Sequence, residues 1–390
     1  MQMNYVTTIC PYCGTGCALN LVVRDGKTVG VAPSNRSPVC SGKLCSRGLR
    51  AAQALDEARI KQPFVKGEPA DWDAAIGKAA ELKKYAAGEV AVITSARLTN
   101  ENQFLVQKFA KELGAVIGVV NGGTGSSTTT LNEIRDADVI LALGDVMKAL
   151  PLTGNKILQA KEKGARILYI GPQSYTAVQA DTVEISDEYA DLPPGFSTLL
   201  KNAALPVVVY LANDAAAAAF AAGLKINAAV LYDTNNGRGT AAMGITPLSL
   251  PETVKAAFII AETPEMEQDI YADLLEKLDS LELSIVAASS ETSLSGIADI
   301  VLPVSALHES EGTVTNWEGR IQKINQAVAS PDGVKPLADV LVDLAGKVGI
   351  SIPTGTPGEI YTALAAEVPV FAEASYEQIT KPEGVYLREA

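Results

Sequence analysis

Three cysteines in one eight-residue run, Cys10-Pro11-Tyr12-Cys13-Gly14-Thr15-Gly16-Cys17, and a fourth after a gap of 27 residues in Gly42-Lys43-Leu44-Cys45-Ser46-Arg47-Gly48, constrain this chain more than any other feature. A cubane cluster presents four iron corners that each take one thiolate. Three ligands then come from a tight loop, whose glycines relieve crowding, and the fourth from farther along the chain. Cys10, Cys13, Cys17 and Cys45 therefore read as the ligand set of one [4Fe-4S] cluster. Zinc also takes four thiolates, but its ribbons pair two short Cys-x-x-Cys knuckles rather than three clustered cysteines and a distant one. The order C-x2-C-x3-C is also the reverse of that expected of radical S-adenosylmethionine enzymes.

Cys40 competes with Cys45 for the distal position. Gly42 and Gly48 flank Cys45 with flexible backbone, whereas Cys40 follows Pro38 and Val39 at what reads as a strand edge, so Cys40 is expected to be a spectator.

With 390 residues, 47% hydrophobic and 20% charged, the chain is long enough for two or three packed domains. Its net charge of −13 argues against a nucleic-acid binder, which needs a basic surface to neutralise phosphates. Met1-Gln2-Met3-Asn4-Tyr5 leads almost directly to the first cysteine, with no basic stretch, apolar core and cleavage site between, so an export signal is not expected. The apolar runs Val207 to Leu211 and Ala215 to Leu224 are too short or too interrupted to cross a bilayer. All five cysteines lie in the first 45 residues, which suits a reduced compartment and a soluble cytoplasmic protein.

The expected fold class is α/β: a small cluster module followed by doubly wound parallel-sheet domains. Residues 1–58 form the module, with a hairpin at Ala18 to Val31 around Asp25-Gly26. Beyond Trp72, short apolar strands alternate with amphipathic helices. Helices are predicted over 72–87, 100–113, near 128–136, over 153–163, 214–223 and 336–348. Strands are predicted at 90–94, 116–120, 139–143, 167–170, 206–210, 228–231, 257–261, 283–287 and 300–303. The expected domains are 59–205, 206–350 and a C-terminal segment 351–390.

Several segments carry a family resemblance. The cluster loop and hairpin, Gly42 to Cys45, Ser95 to Glu101, Asn235 to Gly239 with Met243-Gly244, and Ala298 to Pro303 leading into Glu311 to Gln322 together resemble the molybdopterin oxidoreductase family. The likeness is to the catalytic subunit of formate dehydrogenases and to the large iron–sulphur subunit of respiratory complex I. Arg47 stands where the formate dehydrogenases carry a lysine between cluster and pterin, so the resemblance implies a cation that tunes the cluster; the alternative is a solvated surface arginine.

The departures from that pattern shape the functional expectation. The formate dehydrogenases ligate molybdenum or tungsten through a cysteine or selenocysteine followed by histidine. The matching stretch here, Gly118 to Thr130, is shortened and has neither residue. Ser126 or Ser127 is an alternative ligand, but a Gly/Ser/Thr-rich run is more often a loop. The family's terminal β-barrel would begin near Tyr376-Glu377-Gln378, where this chain nears its end. A separate subunit supplies such a barrel in an arrangement that the resemblance to formylmethanofuran dehydrogenase allows. A molybdopterin guanine dinucleotide is accordingly not expected.

Two functions follow. The first is an electron-transfer subunit relaying electrons through one [4Fe-4S] cluster on a vestigial scaffold, with iron–sulphur or flavin proteins as partners and neither nucleic acid nor direct membrane insertion involved. The alternative is an active molybdenum or tungsten pterin subunit that oxidises formate or reduces CO2 with a separate barrel subunit. The lone histidine, His308, with Glu309 and Glu311, suggests an acid–base site, against which stands a structural or surface role.

Overall fold

The computed structural model describes residues 3–54, 58–262, 272–380 and 384–387. At the N-terminus, strand Met3–Ile9 pairs antiparallel with Ala18–Arg24, from Met3 opposite Arg24 to Ile9 opposite Ala18. The eight-residue cysteine run is thus the connection between two paired strands, and this register brings Cys10 and Cys17 together at its base. Ala18–Arg24 then pairs with Lys27–Pro33. Asp25 (φ 51°) and Gly26 (φ 74°) supply the two positive φ values that a tight right-twisted hairpin turn requires.

Two parallel sheets carry the rest. The larger, with seven strands, runs in the order Glu68–Pro69, Phe64–Val65, Ile300–Pro303, Leu283–Ala288, Ala256–Ile260, Val90–Ser95 and Val116–Val120. Its first two strands form an antiparallel hairpin at the edge, while the others run parallel. The five-stranded sheet runs Thr182–Ile185, Arg166–Gly171, Val139–Leu143, Pro206–Leu211 and Asn227–Leu231, all parallel. Strands Val90–Ser95, Val139–Leu143, Ala256–Ile260 and Leu283–Ala288 are buried along their whole length, because helices cover both faces. That is why they read as unbroken apolar runs.

The division expected at residue 205 does not coincide with the sheets. Pro206–Leu211 pairs with Val139–Leu143, and Ala256–Ile260 pairs with Val90–Ser95. The five-stranded unit is inserted between two stretches of the larger sheet. Short strands of similar composition do not reveal which of them pair, because pairing is decided by packing across the chain.

Most predicted elements lie within a residue or two of their expected limits. The first helix is shorter: it spans Trp72–Ala79 and tightens into a 3-10 turn over Ala80–Lys84, so 85–87 are outside it. Helix Asn100–Leu113 starts on the Thr99 side chain, which accepts from the Asn102 amide, and stops at Gly114 in the left-handed region. A small antiparallel sheet, Gly312–Thr315, Arg320–Ile324 and Val385–Tyr386, draws the C-terminal segment onto the family-like stretch. Lys323 and Arg320 lie over the rings of Tyr376 and Tyr386 at 4.0 and 4.1 Å.

Phe109 meets Phe258 edge to face at 5.9 Å in the core of the larger sheet, and both are fully buried. Phe109→Ala is expected to cost about 3–5 kcal/mol through lost burial and the cavity left behind. Denaturant unfolding measures it; a loss under about 1 kcal/mol would show that this contact does not hold the helix to the sheet.

Candidate iron–sulphur site

Cys10, Cys13, Cys17 and Cys45 line one small cavity together with Tyr12, Leu44, Gly48, Pro151 and Leu152. All five cysteines are free thiols, and Cys45 is half-buried while the others are buried. Cys40 is outside that lining. It sits in a turn rather than at a strand edge, with its amide on the Ser37 hydroxyl at 3.3 Å and its thiol donating to the Ala18 carbonyl at 3.4 Å. A cavity lined by four cysteines supplies the donor set of a [4Fe-4S] cluster.

The loop Cys10–Cys17 is held from every side through its carbonyl groups. The Cys10 amide closes it on the Cys17 carbonyl at 2.9 Å. Arg97, just beyond strand Val90–Ser95, donates to the carbonyls of Pro11 (2.7 Å) and Tyr12. The Trp317 amide reaches Gly14 O at 2.8 Å, Asn316 Nδ2 reaches Thr15 O at 3.2 Å, and Gln322 Nε2 reaches Gly16 O at 2.9 Å. The Gly14 amide in turn donates to Tyr232 O at 2.9 Å, past the end of strand Asn227–Leu231. Thr15 and Trp317 meet on the Thr153 hydroxyl, each at 3.1 Å. Gly16 has φ +76°, and a Cβ there would lie 2.1 Å from Gln322 Oε1 and 2.7 Å from Asn316 Cβ, so this position needs glycine both for its backbone and for the close approach.

Burial pushes the Cys10 thiol far above its ordinary value, and the neighbouring Cys13 adds to the rise. Cys17 is also raised, chiefly by its hydrogen bond with Cys40 and then by burial, while the same bond draws Cys40 down to about 6. Arg47 opposes the rise at Cys10. It is not a solvated surface arginine: its Nη2 donates to Ala149 O at 2.5 Å and its guanidinium lies 5.9 Å from the centre of the Tyr12 ring.

The other family-like segments are bonded to one another. Asn100 Nδ2 donates to the hydroxyls of Thr313 (3.0 Å) and Thr315 (3.1 Å). Asn236 donates to Leu98 O at 2.8 Å and accepts from the Thr315 amide at 2.7 Å. Glu101 accepts from the Thr313 amide and hydroxyl, both at 2.8 Å. Asn235 differs: its side chain is completely buried, yet neither carboxamide atom has a partner, nor has the neighbouring Thr234 hydroxyl.

The stretch that would carry a metal ligand lies along the edge of the five-stranded sheet. The Ser127 hydroxyl accepts from Val230 N at 2.9 Å and donates to Val230 O at 3.3 Å, and the Thr128 hydroxyl accepts from Ala228 N at 2.9 Å. Ser127 is spent on extending the sheet, and Ser126 is half-buried beside it. No thiol or imidazole is present from Gly118 to Thr130. The supposed acid–base trio also divides: His308 and Glu309 are buried, Glu309 pairs with Arg59 at 2.6 Å, and the exposed Glu311 pairs with Lys323 at 2.6 Å.

The chain matches known protein families along most of its length. Residues 3–57 match the molybdopterin oxidoreductase Fe4S4 domain, and residues 59–228 and 210–347 match the molybdopterin oxidoreductase domain. The chain is 28% identical to the F420-dependent formate dehydrogenase 1 subunit alpha of Methanococcus maripaludis, covering 97% of this chain and 76% of the relative. It is 22% identical to formate dehydrogenase H of Escherichia coli, covering 97% and 73%. The first of these alignments runs over 517 residues although this chain has 390, so parts of the relative lie opposite gaps in this chain. In fold, it resembles acetylene hydratase from Pelobacter acetylenicus (TM-score 0.70, 14% identity, covering 98% of this chain and 74% of that one). It also resembles a chain of the formyltransferase/hydrolase complex of Methylorubrum extorquens (TM-score 0.55, 21% identity, covering 73% and 98%).

Burial raises the Glu101 carboxyl from 4.5 to about 7, against the opposing hydrogen bonds from Thr313. The folded chain therefore holds a proton that the unfolded chain has released, and this stabilisation, full below pH 4.5, is lost as the pH rises to 7. Glu101→Gln keeps the neutral form, so relative to the natural chain it should gain stability across that window, by about 3 kcal/mol at pH 7. Urea unfolding at pH 5 and pH 7 measures this; the same difference at both values would contradict the buried-proton assignment.

Proposed function

The chain belongs to the molybdopterin oxidoreductase family, and on that premise we propose that it is an iron–sulphur electron-transfer subunit of a multi-subunit oxidoreductase. Cys10, Cys13, Cys17 and Cys45 would hold one [4Fe-4S] cluster, with Cys40 outside the ligand set. When bound, such a cluster supplies a one-electron couple whose potential depends on nearby charge, hydrogen bonds to sulphur and solvent exposure. Arg47, fixed by Ala149 and stacked on Tyr12, provides the charge. The carbonyl-held loop keeps Cys10, Cys13 and Cys17 in place, and Leu44, Leu152 and Pro151 line the cavity beside the thiols.

The observation that carries this reading is a contrast within one scaffold. Four thiols ring a cavity in the N-terminal module, while Gly118 to Thr130 has no thiol or imidazole and spends Ser127 on a sheet edge. A relay needs a donor and an acceptor close by, so the partners are iron–sulphur or flavin subunits. Relatives named as subunits of formate dehydrogenases, and a structural neighbour within a formyltransferase/hydrolase complex, support assembly of this kind. No helix among the described residues is long and apolar enough to cross a membrane. We place the assembly in the cytoplasm.

A second reading, an active pterin subunit of formate dehydrogenase type, is favoured by one specific observation: the buried, unpartnered carboxamide of Asn235 in a family-like motif, a group that a bound ligand would satisfy. Any metal ligand it takes from Gly118 to Thr130 would be neither thiol nor imidazole.

Cys13→Ser is expected to lose most of its iron and the electron paramagnetic resonance signal of the dithionite-reduced protein, whereas Cys40→Ser keeps both. Undiminished iron in Cys13→Ser would sink the ligand assignment. Formate oxidation by the natural chain with its partners, traced to this subunit, would replace the relay with the second reading.

A further inference from the structure

Charge is unevenly distributed along this chain. Residues 1–50 contain six basic side chains, Arg24, Lys27, Arg36, Lys43, Arg47 and Arg50, and one acidic side chain, Asp25. The segment is thus net +5 within a chain of net −13, which leaves −18 for residues 51–390. Part of that positive charge flanks in sequence the least buried of the four candidate ligands. Cys45 is half-buried; Lys43 and Arg50 on either side of it are exposed, and so is Leu49, at 55%. The bond from Arg47 to Ala149 brings the backbone next to exposed Lys148 up to the same segment.

Some surface cations are already neutralised. Lys161, Lys163, Lys255 and Lys335 each pair with a carboxylate at 2.5–3.1 Å. Lys43, Arg50 and Lys148 form no ion pair among the described residues, so their charge is left for a partner. An apolar side chain inside a ring of uncompensated cations has the layout of a docking patch, in which the centre supplies buried area and the rim supplies orientation and encounter rate.

On the relay reading, we propose that the face formed by Lys43, Cys45, Arg47, Leu49, Arg50 and Lys148 docks a redox protein that presents acidic side chains around its own iron–sulphur or flavin group. One electron leaves the reduced partner and enters by way of Cys45, with no bond made or broken. The remainder of the chain, net negative, repels the same partner and so confines docking to this face.

The test is binding of an acidic plant-type [2Fe-2S] ferredoxin to the full chain carrying its cluster, at 20 and 200 mM salt. Affinity is expected to fall by about tenfold over that salt range, and by about as much in Lys43→Glu/Arg50→Glu and in Arg50→Glu/Lys148→Glu. Lys347→Glu, exposed on helix Leu337–Val348, should bind like the natural chain. Iron content and the reduced-state resonance signal, measured on each variant, separate lost docking from lost cluster. Unchanged affinity in both double variants would overturn the proposal, as would tighter binding of cationic cytochrome c, or of a single-stranded oligonucleotide, than of ferredoxin. A chain that binds ferredoxin in this charge-dependent way but holds no iron would overturn the relay reading and leave the docking face standing. A reducible cluster with charge-blind binding would do the opposite.

Discussion

The rest of the structure depends on the hydrogen bonds that hold the backbone of one eight-residue loop. Ile9 opposite Ala18 closes the loop at its base, and Arg97, Asn316, Trp317 and Gln322 hold five of its carbonyls from above. A loop rich in buried carbonyls is costly unless each is paired, and here the partners come from segments separated by up to 306 positions. The cysteine loop is therefore held by partners that both parallel sheets and the small C-terminal sheet position.

The same dependence accounts for the family-like segments around the loop. Asn100, Glu101, Asn236, Thr313 and Thr315 satisfy one another in the buried space beneath the loop. Removing any of them would leave a buried polar partner unpaired, at a cost of roughly 1–3 kcal/mol each. Retention of such residues is thus accounted for by folding alone. Asn235 is the exception, since its carboxamide takes no part in the network.

Much of this was legible in the sequence where a single local rule applied. Cysteine spacing pointed to the thiols that line the cavity, and the unbroken apolar strands followed from burial on both faces. Asp25-Gly26 marked its turn because few residue pairs accept two positive φ values. What was hidden depended on distant partners. Strand Met3–Ile9 exposes most of its first residues and lacks an apolar signature, and Thr182–Ile185 is exposed throughout at a sheet edge. The interleaving of the two sheets left no local trace. Tyr232 and Thr153 reach the loop through contacts that no spacing rule connects to a cysteine, and the roles of Asn316 and Gln322 emerge only when the loop carbonyls are counted. Arg47 was equally compatible with solvent and with the site until Ala149 and Tyr12 were seen beside it.

The central claim is that this scaffold holds one iron–sulphur cluster and no pterin-bound metal. Elemental analysis of the protein purified anaerobically with its natural partners, counting iron, molybdenum and tungsten per chain after subtraction of the partners' own clusters, tests it most directly. The account predicts about four iron atoms and neither molybdenum nor tungsten. Stoichiometric molybdenum or tungsten assigned to this chain would contradict it.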